Sequence, residues 1–195
     1  MILRTLLSLI FATIWLVALD AQTSQGAFLL GADFKPKNFE FSERGNFVYR
    51  SYNFGLKAAY FFKDNWLIGG DYTIEHTSVR DPSDLGFTSE TNTAGLFIRK
   101  YFKTKFPKWM PFVGLGAGYR HTLLEINSST PSDIPSSAVS GSYGKAELGL
   151  AYFLTEKVSF NLTGNALLHM ARSDYYTTGN FRFGINYHFN TKKNE

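Results

Sequence analysis

The stretch NFRFGINYHF at residues 180–189 decides how the rest of this chain must be arranged. Side chains of a β-strand alternate between two faces, so every second residue of the stretch shares a face. One face carries apolar and aromatic residues: Phe181, Phe183, Ile185, Tyr187 and Phe189. The other face carries Arg182, Gly184, Asn186 and His188. The pattern predicts a strand with one apolar face and one polar face.

This strand resembles the carboxy-terminal signature of outer-membrane β-barrel proteins, in which an aromatic residue ends a strand with apolar residues at every second position before it. In that family the last strand pairs with the first and closes the barrel. The resemblance implies that the five apolar residues are the signal recognised by the outer-membrane barrel assembly machinery. The chain departs from the family pattern in one respect, because residues 190–195 follow Phe189.

Residues 1–21 have the composition of a secretory signal peptide. Arg4 and the α-amino group precede an uncharged run at residues 5–19, and the small residue Ala21 stands at the expected cut. The run is shorter than the ~20 residues that a spanning helix needs. We therefore predict cleavage after Ala21, with residues 22–195 forming one domain. A retained amino-terminal membrane anchor is the alternative.

The composition excludes several classes of protein. No second stretch approaches the length of a spanning helix, so a helical membrane protein is excluded. The net charge of +4 is spread along the chain, which predicts no nucleic-acid partner. Cysteine is absent, so something other than disulfides must hold an exported fold together, and a closed ring of strand hydrogen bonds would do so. Aromatic residues at 17% and 17 glycines suit a barrel with aromatic girdles and a crowded interior.

Alternating segments recur along the whole chain. The eight predicted strands cover approximately residues 26–34, 51–62, 66–75, 91–102, 111–119, 141–153, 158–170 and 180–189. Tight turns are predicted at residues 63–65 and 154–157, a somewhat longer connection at 103–110, and long loops at 42–50, 81–89, 127–140 and 171–179. Short turns alternating with longer loops are typical of bacterial barrels with both termini on the periplasmic side.

The strand at residues 111–119 alternates Val113, Leu115, Ala117 and Tyr119 with three glycines. It resembles the central strand of the OmpA/OmpX-like small outer-membrane β-barrel family. The resemblance covers nearly all of the predicted mature chain. It implies an all-β, eight-stranded antiparallel up-and-down transmembrane barrel, located in the outer membrane in contact with its lipid. It also implies a monomer, and no periplasmic domain is expected after Phe189.

A soluble eight-stranded barrel also alternates, so the face that carries the charges decides between the two environments. The charged residues share the polar face with glycines, which would weaken strands if that face met water. Inside a narrow lumen, opposite charges pair and glycines relieve crowding. The predicted lumen charge network is Asp33, Lys57, Asp71, Glu75, Arg99, Arg120, Lys145, Glu147 and Arg182. The membrane barrel requires the opposite face, including Phe54, Leu115, Leu162 and Ile185, to touch acyl chains.

Three finer expectations follow. A hairpin centred near Asp64 places Lys57 across from Asp71, which predicts an ion pair between them. In the fourth strand, we place Phe97 and Arg99 inside and Lys100 outside, where its stem reaches the membrane interface; the opposite register would expose Arg99 instead. Aromatic residues near strand ends are expected in the interface girdles: Tyr52, Phe62, Trp66, Tyr101, Phe102, Tyr119, Tyr152, Tyr187 and Phe189.

No catalytic or metal site is predicted, and no cofactor. The histidines lie on different strands without metal-ligand spacing: His76, His121, His169 and His188. His169, Ser173 and Asp174 form a candidate cluster at the outer rim, but their spacing does not reproduce that of barrel enzymes that modify lipid A. A rim serine and aspartate are more often loop formers.

The sequence therefore predicts a structural or surface-adhesion role, with the lumen plugged by paired charges because side chains about fill an eight-stranded barrel. Loops on a rigid scaffold are free to carry an extracellular ligand site, for which Phe87, Tyr175 and Tyr176 are candidate contacts, or these residues cap the girdle. The alternatives are a narrow transporter for small or hydrophobic solutes and a lipid A-modifying enzyme at the outer rim.

Overall fold

The computed structural model describes residues 23–35, 48–80, 86–127, 137–171 and 174–190. The predicted signal peptide, parts of the four predicted loops and residues 191–195 lie outside this part of the chain. So does Ser173 of the candidate rim cluster. No helix in the described ranges has the length and apolarity needed to cross a membrane.

Eight antiparallel strands form one closed barrel in the order of the sequence. Their bounds are β1 Ala27–Phe34, β2 Val48–Lys63, β3 Trp66–Arg80, β4 Gly86–Tyr101, β5 Trp109–Asn127, β6 Ser137–Phe153, β7 Val158–Ala171 and β8 Asp174–Asn190. The last strand pairs with the first over the full length of β1, from Ala27 opposite Asn190 to Phe34 opposite Phe183. This confirms the predicted fold class, since every strand has two neighbours and no sheet edge is left open.

The apolar residues face outward and the charged ones inward, as predicted. The side chain of Leu115 is 65% exposed, and Phe54, Leu162 and Ile185 are exposed as well, whereas Glu147 is 7% exposed inside the barrel. A water-soluble protein buries its apolar side chains, whereas a membrane barrel presents them to acyl chains. The outer wall of this barrel is therefore built for lipid.

The fourth strand adopts the predicted register. Leu96 and Ile98 face outward, and Phe97 and Arg99 are buried in the lumen. Lys100 faces outward opposite Trp66, with its ammonium 4.8 Å from the centre of the indole ring. One expectation was wrong, because Tyr101 is 1% exposed and lies inside the lumen rather than in the girdle. It follows Lys100 in the alternation, so an outward Lys100 forces Tyr101 inward.

The strands are longer than predicted, and nearly all of the extra length lies at one end of the barrel. We call this the loop end, where residues 36–47, 81–85, 128–136 and 172–173 connect the strands. β4 begins at Gly86 and β8 at Asp174, inside segments predicted to be loops. A strand needs only about 9–11 residues to cross the membrane. Beyond that length both faces can be polar, so alternation disappears while the backbone hydrogen bonds continue.

The opposite end, called the turn end, holds the connections 64–65, 102–108 and 154–157 and both termini of the barrel. Asn65 has a φ of 63°, a left-handed conformation that asparagine tolerates better than most residues. Thr23 caps this turn, because its carbonyl accepts from Asn65 N at 2.7 Å and its hydroxyl donates to Asn65 Oδ1 at 2.7 Å. The start of the barrel is thereby fastened to the first hairpin.

Candidate functional site: the barrel lumen

All nine charged residues of the predicted network lie at inward-facing positions of the strands. The most buried are Lys57, Arg99, Lys145 and Glu147, each less than 8% exposed. The other five retain partial exposure: Asp33, Asp71, Glu75, Arg120 and Arg182. Six of the nine form the central ionic network, which consists of the linked residues Asp71, Lys145, Glu147 and Arg99 and the pair Lys57 and Asp33. Glu75, Arg120 and Arg182 lie nearer the loop end.

Glu147 on β6 is the centre of the ionic network. One of its carboxylate oxygens accepts from Arg99 Nη2 at 2.8 Å and from Arg99 Nε at 3.2 Å. The other oxygen lies 2.9 Å from Lys145 Nζ, which also donates to Asp71 at 2.6 Å. The chain of contacts runs from β3 through β6 to β4, so it ties strands that are not neighbours in the sheet. Charges removed from water are tolerated only when paired in this way.

The predicted pair between Lys57 and Asp71 is wrong, although the two residues do lie opposite each other on β2 and β3. Lys57 Nζ instead donates to Asp33 on β1 at 2.7 Å, while Asp71 reaches Lys145 across the lumen. Strand register fixes only which backbones are adjacent. On the inside of a closed cylinder, side chains from distant strands converge and compete for the same partner.

A double-mutant cycle distinguishes these two partners of Lys57. We expect a coupling energy of about 1–3 kcal/mol between Lys57→Met and Asp33→Asn, and a clearly smaller one between Lys57→Met and Asp71→Asn. The reason is that only Asp33 loses an ion-pair partner when Lys57 is removed. Urea unfolding of the refolded barrel in phospholipid vesicles measures each term. Equal coupling in the two cycles would show that Lys57 is shared between the carboxylates.

An apolar layer that was not predicted from the sequence closes the lumen at the turn end. We call it the aromatic plug, and each of its members is at most 1% exposed: Leu29, Phe61, Leu67, Tyr101, Met110, Phe112 and Phe153. Tyr101 packs against Phe112 with ring centres 5.3 Å apart, and the Arg99 guanidinium lies 4.1 Å from the Phe112 ring centre. Continuing the alternation to the strand ends would have placed these residues inside, since Phe61 shares the parity of Lys57.

Glycines make room for the bulky side chains of the network and the plug. A Cβ added at Gly149 would collide with the Phe112 ring, and one at Gly114 would come within 2.9 Å of a Glu147 oxygen. At Gly118, an added Cβ would meet the Tyr143 hydroxyl at 2.7 Å. Contacts this short are essentially never seen for a real Cβ. The inward glycines of β5 and β6 therefore leave the space that the larger inward side chains Phe112, Tyr143 and Glu147 occupy.

Above the network, toward the loop end, the lumen opens into a cavity of about 240 Å³. Arg120 and Arg182 line it together with Glu75, Tyr143 and His169. His169 contacts the Thr178 hydroxyl at 3.0 Å. The described residues contain no cluster of three or more potential metal ligands. The side chains of Asp174, Tyr175 and Tyr176 lie outside the described part, and so does most of the candidate rim cluster.

Together, the lipid-facing wall, the closed ring of strands and the charged, plugged interior define a small integral membrane β-barrel. The chain belongs to the family described as the outer membrane protein beta-barrel domain, whose model matches residues 6–189. It is accordingly an outer-membrane β-barrel protein.

Solved structures share the fold at low sequence identity. Neisserial surface protein A is 12% identical with a TM-score of 0.57, and the match covers 85% of this chain and 98% of that one. The N-terminal β-barrel domain of Pseudomonas aeruginosa OprF is 16% identical with a TM-score of 0.51, over 85% of this chain and 98% of that one. No curated protein sequence matches. At such identities the neighbours show the fold alone.

Proposed function

We propose that this protein is a non-conducting outer-membrane barrel with a structural or surface-contact role, and that it is not an enzyme. The observation that carries the proposal is the double closure of the lumen. The aromatic plug and the central ionic network lie one above the other, and Lys57, Arg99, Lys145 and Glu147 of the network are each less than 8% exposed. A plugged eight-stranded barrel supplies a rigid cylinder for whatever its loop end presents.

Transport through the lumen would require both layers to open. The network resists opening because separating Glu147 from Arg99 and Lys145 exposes unpaired charges in a low-dielectric interior. The plug resists it because its rings are packed against one another without contact with water. A narrow transporter is therefore the less favoured function.

Planar-bilayer recording of the full-length purified barrel tests the closure. We expect no steady conductance from the wild type or from the triple variant F61A/F112A/F153A, which removes three rings of the plug but keeps the ionic network. Adding R99A and E147A to that variant opens both layers and should give measurable conductance. The matched control F54A/F181A/F183A removes three outward rings and should remain silent. A steady wild-type conductance would contradict the proposal and favour the transporter.

The surface-contact role rests on the loop end. Strands that exceed the length needed for crossing the membrane carry this end beyond the lipid, where Phe87 is 41% exposed on β4. Isolated outer membranes treated with protease from the external side should lose the connecting loops and retain the barrel. A strain lacking the gene should show altered surface attachment or detergent sensitivity with unchanged lipid A mass spectra. Altered lipid A would favour the enzyme instead.

Export and assembly complete the proposal. We propose that residues 1–21 are removed and that the outward side chains of β8, from Phe181 to Phe189, are recognised by the barrel assembly machinery. All five lie exposed on the outer wall, where another protein can reach them before the barrel closes. The intact mass of the protein from the same outer-membrane preparation should correspond to residues 22–195, and a mass that includes residues 1–21 would contradict this.

A further inference from the structure

The cavity at the loop end of the lumen has chemistry that neither the plug nor the ionic network uses. Its volume is about 240 Å³, and its lining is mostly polar. Two residues at its margin, Lys35 and Glu75, keep 24% and 25% of their side chains exposed, so the cavity communicates with the loop end. Asp71 and Lys145 of the ionic network form part of its lining, on the side of the network away from the plug.

The charges around the lumen do not balance. Among the described residues, the acidic side chains facing the lumen are four, and each has a basic partner: Lys57 with Asp33, Lys35 with Glu75, Lys145 with Asp71, and Arg99 with Glu147. The basic side chains facing the lumen there are these four plus Arg120 and Arg182. Six minus four leaves an excess charge of +2, and both unmatched guanidiniums line the cavity.

The geometry of the two arginines shows that they are held inside the barrel. Arg182 extends from β8 toward the opposite wall, where its Nη1 donates to the Thr73 hydroxyl on β3 at 3.3 Å. The Nε atoms of Arg120 and Arg182 are both buried without a hydrogen-bond partner. No carboxylate in the described ranges forms an ion pair with either residue. A buried donor without an acceptor costs free energy, more so when it carries charge.

We propose that the cavity binds a tetrahedral oxyanion, a phosphate or sulfate group, between Arg120 and Arg182. A divalent anion matches the excess of +2, and guanidinium forks bind such oxyanions bidentately. Hydroxyl groups of Thr73, Thr93 and Tyr143 line the same cavity and supply further donors from other directions. A carboxylate has two oxygens in one plane, so it cannot accept hydrogen bonds from all of these directions, whereas a tetrahedral oxyanion can. The inference is independent of the proposed structural or surface-contact role.

Titration of the refolded full-length barrel with inorganic phosphate tests the site, using calorimetry in a phosphate-free buffer at low salt. We expect saturable binding to the wild type and a loss of affinity of about tenfold to a hundredfold in R120Q and in R182Q. The control K105Q removes the same charge from the exposed turn at the far end of the barrel and should bind like the wild type. The band shift of the unheated protein on a gel verifies that each variant is folded.

The variant R120K/R182K keeps both positive charges but cannot bind an oxyanion bidentately. Its phosphate affinity should therefore fall between that of the wild type and that of R120Q/R182Q. Competition by glucose 1-phosphate alone identifies a soluble phosphorylated ligand, whereas competition by lipopolysaccharide micelles identifies a phosphorylated lipid headgroup. Absence of saturable phosphate and sulfate binding to the wild type would overturn the proposal. Equal binding to folded R120Q/R182Q would overturn it as well.

Discussion

Replacing Glu147 with glutamine is expected to lower the free energy of unfolding by about 3–5 kcal/mol, because the change leaves buried cations without their counter-charge. Arg99 is 3% exposed and loses the one carboxylate that pairs with it in the described ranges, while Lys145 keeps its ion pair with Asp71. Glutamine preserves the size of the side chain, so the decrease in the free energy of unfolding measures the loss of charge rather than a change in packing. Urea unfolding in phospholipid vesicles, followed by tryptophan fluorescence, measures it.

The double variant R99Q/E147Q should be more stable than E147Q, since it also removes the Arg99 guanidinium that E147Q leaves buried without a carboxylate partner. Glu156 lies exposed in the turn at residues 154–157, and E156Q serves as the matched control with an expected change within about 0.5 kcal/mol. If E147Q unfolds at the same urea concentration as E156Q, Glu147 does not hold the network together.

Phe112→Ala should cost about 3–5 kcal/mol, the range for removing a buried aromatic ring from a packed interior. Phe112 is fully buried, packs against Tyr101, lies beneath the Arg99 guanidinium and covers Gly149. Its removal therefore leaves a void in the plug and also takes away a cation–π contact from Arg99. The same unfolding assay gives the value.

The informative comparison is with Phe183→Ala on the outer wall, where the ring is 53% exposed to the membrane. Mobile acyl chains refill that space, so the cost should be limited to the transfer of the ring, about 1.5–3 kcal/mol. The closely packed interior side chains cannot rearrange to fill the space, so the void at position 112 persists. A loss at position 183 as large as that at position 112 would show that the plug is not tightly packed.

The division of the lumen into layers explains how a barrel without a conventional core is stabilised. The turn end is closed by apolar packing and the middle by ion pairs that link β3, β4 and β6, whereas the loop end contains the cavity lined by Arg120 and Arg182. The outward side chains within the membrane face lipid, so side-chain contacts between opposite walls of the barrel come from the apolar packing and ion pairs of the lumen. For that reason the two largest expected losses of stability, those of E147Q and F112A, fall in the ionic network and the aromatic plug.

The resemblance to outer-membrane barrel proteins implied that β8 closes onto β1. The sequence by itself determined the number of strands and the face on which Lys57, Glu147 and Ile185 lie. These features follow from a period of two, which assigns each residue to lipid or lumen without knowledge of its neighbours. The same rule places Tyr101 inside, although its aromatic character near a strand end favoured the girdle.

Only the tertiary structure decided which inward residues meet. Lys57 lies opposite Asp71 in the sheet yet bonds Asp33, while Asp71 bonds a lysine 74 residues further along the chain. The choice depends on the tilt and stagger of the closed barrel, which bring side chains of distant strands to one axis. The same geometry leaves Arg120 and Arg182 together without an acidic partner among the described residues, a juxtaposition that no local pattern contains.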